Sequence, residues 1–77
     1  MSISIYPNPA TDNVVVKSDF TINSIEVLNY IGQTVYSNQK VDNRSQKVNV
    51  SNLTTGIYFV KVSTENGTKT VKITVTR

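Results

Sequence analysis

The feature that most constrains the fold is the alternation of apolar and polar residues on either side of Asn66-Gly67. Asn-Gly favours the two-residue type I′ loop of a β-hairpin, because its twist matches that of the strands it joins. With this pair as the loop, the side chains that share one face are all apolar: Tyr58, Val60, Val62, Val71, Ile73 and Val75. Since side chains alternate between the two faces of a strand, the turn and the pattern independently predict the same hairpin.

The outer face of this predicted hairpin carries two facing positive charges. The same register puts Lys61 directly opposite Lys72, with Ile57 and Phe59 on the same face. Like charges that face each other across two strands are destabilising. Large apolar side chains on an outer face are typical of a surface that binds a partner. The alternative is that Ile57 and Phe59 cover one end of the fold or a loop, because single exposed apolar residues are common.

The remainder of the chain predicts short strands separated by polar turns. Tyr6-Pro7-Asn8-Pro9 ends the first strand, because each proline removes an N–H donor, and Asn8 is expected to bond to local backbone. Ser18-Asp19 is expected to break the second strand, and residues 40–45 are expected to form a polar connection. The alternating segments are residues 3–6, 14–17, 24–29, 33–39 and 46–50.

Two further turns have a predicted geometry. Placing Val27 opposite Val35 leaves a three-residue hairpin loop that ends at Gly32, where the left-handed conformation suits glycine. Residues 53–58 (LTTGIY) resemble the tyrosine corner of Greek-key sandwiches, in which a tyrosine hydroxyl bonds to backbone a few residues upstream. Tyr58 is therefore expected to be buried, with its hydroxyl bonded in this way.

About seven short strands, regular turns and no helical period are typical of a two-sheet sandwich. The predicted fold is all-β, an immunoglobulin-like β-sandwich of antiparallel strands with Greek-key topology. A chain of 77 residues has room for one domain with a small core. The predicted core is Ile5, Val14, Val16, Ile25, Val27, Val35, Val48, Val50, Leu53, Tyr58, Val60, Val62, Val71, Ile73 and Val75.

The composition excludes several kinds of chemistry. Without cysteine, the chain has no thiol nucleophile. Without histidine, it has no base for a catalytic triad and lacks the commonest zinc ligand. The five acidic residues form no close pair in sequence, so neither catalysis nor a cofactor is expected. Asp12 and Asp19 could meet at one end of the sandwich and hold calcium. Such a site needs about six or more oxygens, however, and solvated turn aspartates are far commoner.

The charge is unevenly distributed along the chain. Residues 1–39 hold one lysine and three acids, a net charge of −2, and residues 40–77 hold seven Lys or Arg and two acids, a net charge of +5. A basic half could face nucleic acid, but the chain has no RNA-binding aromatic motif, and lysines on strands commonly protect sheet edges. We therefore expect no nucleic-acid partner. No run reaches the ~18 apolar residues of a membrane-spanning helix.

Three segments in this order resemble the C-terminal sorting domain of type IX secretion cargo: residues 6–12 (YPNPATD), 25–35 (IEVLNYIGQTV) and 53–62 (LTTGIYFVKV). Two lysines on the last strand and the final arginine complete the resemblance, which spans nearly the whole chain. The positions that we assign to structural motifs are Pro7, Asn8, Pro9, Gly32, Asn66 and Gly67.

The resemblance implies a non-catalytic secretion signal, cut here from the end of a larger secreted protein. In such families the fused N-terminal cargo enters the periplasm, where shuttle proteins and an outer-membrane translocon recognise the domain. A cell-surface sortase often cleaves the domain off, which leaves the cargo on the cell surface or secreted. The residues assigned to recognition by the secretion machinery are Gly56, Ile57, Tyr58, Phe59, Lys61, Lys69, Lys72 and Arg77.

The alternative from another functional class is an immunoglobulin-like module that binds carbohydrate or a neighbouring protein. Its candidate platform aromatics are Phe20, Tyr30 and Tyr36. Export that depends on the secretion system favours the sorting signal. Sugar binding by the isolated domain, without export, favours the binding module.

Overall fold

The computed structural model of the protein describes residues 2–76, and the regular structure in that range consists of six β-strands. All pairings between these strands are antiparallel. The strands are β1 (Ile3–Tyr6), β2 (Asn13–Asn29), β3 (Thr34–Asn38), β4 (Asn43–Asn49), β5 (Gly56–Thr64) and β6 (Gly67–Val75). The predicted all-β, antiparallel fold class is confirmed.

Strand β2 is the element to which most of the others attach. Its first half pairs with β1 on one side and with β4 on the other. Its second half pairs with β3 and β5, and β6 extends that layer beyond β5. The pairing register with β4 shifts between Lys17 and Ile22, where the strand passes from one layer to the other. Buried residues from both halves belong to one hydrophobic cluster, so the two layers share a single core.

The predicted break at Ser18-Asp19 is wrong, and two of the predicted strands are one continuous strand. The Ser18 hydroxyl accepts a hydrogen bond from the Phe20 N–H at 3.0 Å. The Asp19 carboxylate accepts one from the Ser2 N–H at 2.8 Å, and the Asp19 N–H donates to the Ser2 carbonyl at 3.3 Å. These polar residues therefore pair with the start of the chain at the crossing point instead of forming a turn.

The loop between β2 and β3 closes as predicted. Asn29 donates its N–H to the Gln33 carbonyl at 2.9 Å and accepts from the Gly32 N–H at 3.0 Å. Gly32 has a φ of +88°, in the region that glycine adopts without a side-chain clash. The Asn29 carboxamide oxygen also accepts from the N–H groups of Ile31 and Gln33, which holds the loop from inside.

A bulge three residues beyond Gly32 changes the face of Val35. Leu28 faces Thr34, but Val27 faces Tyr36, which leaves Val35 as the extra residue of β3. Val35 is consequently 37% exposed, and Tyr36 packs against the core in its place. The predicted pairing of Val27 with Val35, and the core position of Val35, are wrong for this reason.

The β5–β6 turn lies one residue earlier than predicted. Thr64 faces Gly67, so the loop is residues 65–66 rather than Asn66-Gly67. The Thr64 hydroxyl accepts from the Asn66 N–H at 3.0 Å and donates to the Gly67 carbonyl at 3.1 Å, which fixes the turn at this position. A type I′ loop needs positive φ at both loop residues. Over residues 2–76, Asp42 is the one non-glycine residue with positive φ, so the two loop residues at 65–66 do not form a type I′ turn. Gly67, which follows them, has a φ of +123°.

The observed register changes which residues lie opposite each other on the outer face, but every side chain stays on its predicted face. Phe59 faces Lys72, and Lys61 faces Thr70, so the predicted direct opposition of Lys61 and Lys72 is wrong. Because the shift moves every residue by an even number of positions, no side chain changes face.

Most of the predicted core is confirmed, with three additions from outside the alternating segments. Ile5 and Leu53 are partly buried against the cluster, and Val71 is half-buried. The missed core residues are Ala10, which bridges to Val75 of β6, Ile22 at the crossing of β2, and Val41 in the predicted polar connection. The confirmed buried residues are Val14, Val16, Ile25, Val27, Val48, Val50, Tyr58, Val60, Val62, Ile73 and Val75.

Candidate recognition surface

The segment that follows β1, residues 7–10, lies along the outer edge of β6 and is termed the proline segment. The Asn8 carboxamide oxygen accepts a hydrogen bond from the Thr74 N–H at 3.0 Å, and its amide nitrogen donates to the Lys72 carbonyl at 3.4 Å. Ala10 donates its N–H to the Thr74 carbonyl at 2.8 Å and accepts from the Thr76 N–H at 2.8 Å. Asn8 thus bonds to backbone 66 and 64 positions away, and the predicted bond to local backbone is wrong.

The first and last motifs of the sequence therefore form one structural unit. Pro7 and Pro9 flank Asn8, are exposed, and both follow cis peptide bonds. Neither proline can donate an N–H, so the contact with β6 is made by Asn8 and Ala10. The proline segment covers β6 near its C-terminal end and leaves the rest of that edge uncovered within residues 2–76.

Tyr58 ties the loop before β5 to the core, as expected for a tyrosine corner. Its hydroxyl donates to the Thr54 carbonyl at 2.7 Å and lies 3.2 Å from the Thr54 hydroxyl. The Tyr58 side chain is only 6% exposed. A methyl group at Gly56 would meet the Tyr58 ring at 3.9 Å, an ordinary contact, and Gly56 has no positive φ. Nothing in the described backbone requires glycine at position 56.

The outer face of β5 and β6, defined here as Ile57, Phe59, Lys61, Thr70, Lys72 and Thr74, combines apolar and basic side chains. Phe59 lies between Leu28 of β2 and Lys72 of β6, and is half-buried. Lys61 lies between Glu26 and Thr70, so its nearest charged cross-strand neighbour is acidic. Opposite charges in this position are favourable, in contrast to the facing lysines that the sequence predicted.

The two lysines of β6 point to different sides of the sheet. Lys69 faces Val62, on the side that continues the core, and Lys72 belongs to the outer face. Both side chains are exposed. The structure therefore brings Phe59, Lys61 and Lys72 together and places Lys69 behind the same strand. Arg77, which the sequence assigned to recognition, lies outside the described residues.

An open groove lies at the end of the sandwich beside the tyrosine corner. Its volume is about 260 Å³, and Tyr30, Leu53 and Ile57 contribute to its lining. A second groove of about 430 Å³ adjoins it and shares Val35 and Leu53. Tyr30 is 78% exposed and Ile57 44% exposed, so this end carries much of the exposed apolar surface of residues 2–76.

The three aromatic residues of the alternative hypothesis, a binding module, do not lie together on one surface. Phe20 lies in the middle of β2, and Tyr30 follows the last residue of that strand. At about 3.3 Å per residue, the two are roughly 30 Å apart along the strand. Tyr36 packs against the core. The three aromatics therefore cannot bind one sugar together.

The candidate calcium ligands are also separated. Asp12 precedes β2 and Asp19 lies seven positions further along it, roughly 20 Å at the rise of an extended strand. The idea that they meet at one end is wrong. Across residues 2–76, no group of three or more acidic, histidine or cysteine side chains could hold a metal ion.

Residues 2–76 contain no helix that is long and apolar enough to cross a membrane.

The family described as the secretion system C-terminal sorting domain matches residues 4–76. The chain belongs to this family. The match includes both the proline segment and β6, so the contact between them is internal to the sorting domain. The resemblance drawn from the three sequence motifs is confirmed.

A solved structure supports the fold of the sorting domain. PorZ, an essential bacterial surface component of the type IX secretion system of Porphyromonas gingivalis, is similar with a TM-score of 0.79 and 22% sequence identity. The similarity covers 99% of this chain and 12% of the PorZ chain. This chain is therefore similar to a small part of PorZ, and at this identity the likeness concerns the fold alone. A search of curated proteins found no match.

Proposed function

We propose that residues 1–77 act as one non-catalytic sorting signal, which directs a cargo fused on its N-terminal side across the outer membrane by the type IX secretion system. The family match over residues 4–76 is the observation that carries this proposal. Shuttle proteins and the translocon bind the domain in the periplasm, and a cell-surface sortase then cleaves it off. The cargo remains on the cell surface or is secreted.

The positions of the two chain ends support this role. Ser2 bonds to Asp19 beside the crossing of β2, at the end that also holds the β5–β6 turn. Thr76 bonds to Ala10 at the opposite end, near the groove beside Tyr30. A cargo joined before Ser2 therefore leaves the groove and the outer face of β5 and β6 accessible to partners.

The division of side chains between the two faces also supports a signal function. The inner side chains of β5 and β6 supply the core, whereas Ile57, Lys61 and Lys72 are exposed and add nothing to its packing. A surface that is read by several partners needs a rigid scaffold and no active site of its own.

Secretion of a reporter tests the proposal directly. We would join residues 1–77 to the C-terminus of a fluorescent protein that carries an inner-membrane signal peptide, and express it in hosts with and without the type IX system. We expect the reporter outside the cell only in the first host, and in the periplasm in the second. Retention in the periplasm of both hosts would refute the sorting function.

The lysines of the outer face are tested by charge reversal. We predict that Lys61→Glu with Lys72→Glu reduces export of the reporter at least tenfold, because it reverses the charge on the proposed contact surface. The control is Lys17→Glu with Lys47→Glu, which makes the same change in net charge at exposed positions of the other layer. Circular dichroism should show both variants folded. Equal export of the two variants would remove Lys61 and Lys72 from recognition and leave the sorting function intact.

The groove beside Tyr30 and Ile57 favours a second candidate function, a module that binds carbohydrate or a neighbouring protein. An exposed aromatic ring beside a concave surface suits a sugar ring. Binding of a glycan by the isolated domain, lost in Tyr30→Ala and accompanied by no export of the reporter, would favour this function over sorting.

A further inference from the structure

The outer edge of β6 is covered along only part of its length. Thr74 uses its N–H and carbonyl to bond Asn8 and Ala10 on that edge. Backbone groups of an antiparallel strand alternate in direction, so Thr68 and Thr70 present theirs on the same side as Thr74. Neither residue has a backbone partner on that side within residues 2–76, and both are exposed.

An uncovered row of N–H and carbonyl groups is a template for pairing with another strand. The open stretch of β6, residues 68–72, is about as long as a typical short strand. At one end of this stretch the Asn8 side chain already donates to the Lys72 carbonyl, and beyond it the Ala10 backbone bonds to Thr74 and Thr76, which shows that this edge accepts backbone pairing. An added strand would continue the layer β3, β2, β5, β6 by one position.

The charges beside this stretch favour an acidic partner strand. Lys69 and Lys72 belong to β6, Lys61 lies on the neighbouring strand, and β6 contains no acidic residue. Opposite charges across a strand pair are favourable and like charges are unfavourable. A second copy of the chain, paired edge to edge about a twofold axis, would bring the lysines of one copy against those of the other.

We propose that residues 68–72 of β6 form a strand-addition site for an extended, acidic segment of a secretion-machinery protein. The identity of the partner as part of that machinery rests on the proposed function. The capacity to bind an acidic strand is a property of the domain itself and is tested separately.

The first test compares two substitutions at one position. Thr70→Pro removes the outward N–H without removing a bond to β5, and proline is tolerated at strand edges. Thr70→Val keeps the N–H. We expect export of the Thr70→Val reporter at the wild-type level and at least a tenfold loss for Thr70→Pro, with both folded by circular dichroism. Equal export by folded Thr70→Pro would overturn the proposal. Failure of the wild-type reporter to leave the cell would instead reject the sorting function.

The second test needs no secretion system. The probes are two blocked eight-residue peptides, one alternating glutamate with threonine and the other lysine with threonine. We expect millimolar acidic peptide to slow hydrogen exchange at the Thr68 and Thr70 amides of the isolated domain at least tenfold, and the basic peptide to have no effect. No slowing, equal slowing by both peptides, or slowing only at the edges of β3 or β4 would overturn the proposal.

Two further measurements complete the test if Thr70→Pro does not fold. Lys69→Glu with Lys72→Glu should lose the response to the acidic peptide and gain one to the basic peptide, and an unchanged preference would count against the charge argument. Protection of the same amides by dimerisation, rising with protein concentration in the absence of peptide, would assign the edge to a second copy and overturn the acidic partner.

Discussion

At the scale of single residues, two polar side chains hold loops against strands. Tyr58 secures the loop before β5 through the Thr54 carbonyl, and Asn8 secures the proline segment through the backbone of Lys72 and Thr74. Each of these side chains bonds to backbone groups that are not paired with another strand. Because Tyr58 is buried and Asn8 is exposed, loss of the Tyr58 bond should have the larger effect on stability.

We predict that Tyr58→Phe lowers the free energy of unfolding by about 1 kcal/mol, because the Thr54 carbonyl loses its donor while the ring keeps its packing. The control is Tyr36→Phe, since the Tyr36 ring also packs on the core and its hydroxyl makes no hydrogen bond within residues 2–76. Urea denaturation of both variants measures the difference. Equal midpoints would show that the tyrosine corner contributes only its ring.

At the scale of elements, the β5–β6 turn depends on one buried hydroxyl. We predict that Thr64→Val lowers the free energy of unfolding by about 1–2 kcal/mol, because the Asn66 N–H and the Gly67 carbonyl each lose a hydrogen bond to the Thr64 hydroxyl. Thr68→Val is the matched control, since the Thr68 hydroxyl bonds to Ser63 on the exposed side.

The register of the hairpin can be checked by cross-strand nuclear Overhauser contacts between Phe59 and Lys72. Contacts that place Lys61 directly opposite Lys72 would contradict the observed register.

Two apolar positions, one at the crossing of β2 and one at the bulge of β3, should differ in their effect on stability. Ile22 is fully buried where β2 crosses between layers, so Ile22→Ala should lower the free energy of unfolding by about 2–5 kcal/mol. Val35 is the exposed bulge residue, so Val35→Ala should change it by about 0.5 kcal/mol or less. Thermal or urea unfolding measures both. Similar losses at the two positions would contradict the bulge in β3.

The sequence could predict which residues alternate, because that period is local, but not where strands bend or shift. The faces of the β5–β6 hairpin, the closure of the loop at Gly32 and the Tyr58 hydroxyl bond each depend on residues close in sequence, and these three features were predicted correctly. The continuity of β2 depends on Ser2, and the role of Asn8 depends on β6, so neither has a local signal. The candidate site was therefore predictable as side chains of β5 and β6, whereas the partly covered edge was not.

At the scale of the whole molecule, the uneven charge of the sequence has a defined place. Glu26 of β2 lies beside Lys61, so part of the negative charge of residues 1–39 sits next to the basic half. Lys69 and Lys72 of β6 face Val62 and Phe59, which carry no charge. Lys69 and Lys72 are therefore two exposed lysines near the open edge of β6 that have no acidic neighbour directly across the strand pair.

The role of β6 in folding determines how its role in sorting must be measured. We predict that a chain ending at residue 66 is unfolded, since it loses the fully buried Ile73 and Val75, about 1.5–3 kcal/mol each, and exposes the inner face of β5. The domain is small, so little stability remains to compensate for this loss. Circular dichroism should show no cooperative thermal transition, and a sigmoidal transition would contradict the prediction. A deletion of β6 that blocks export would then report lost folding, whereas the folded variants at Thr70 and at Lys61 with Lys72 change recognition alone.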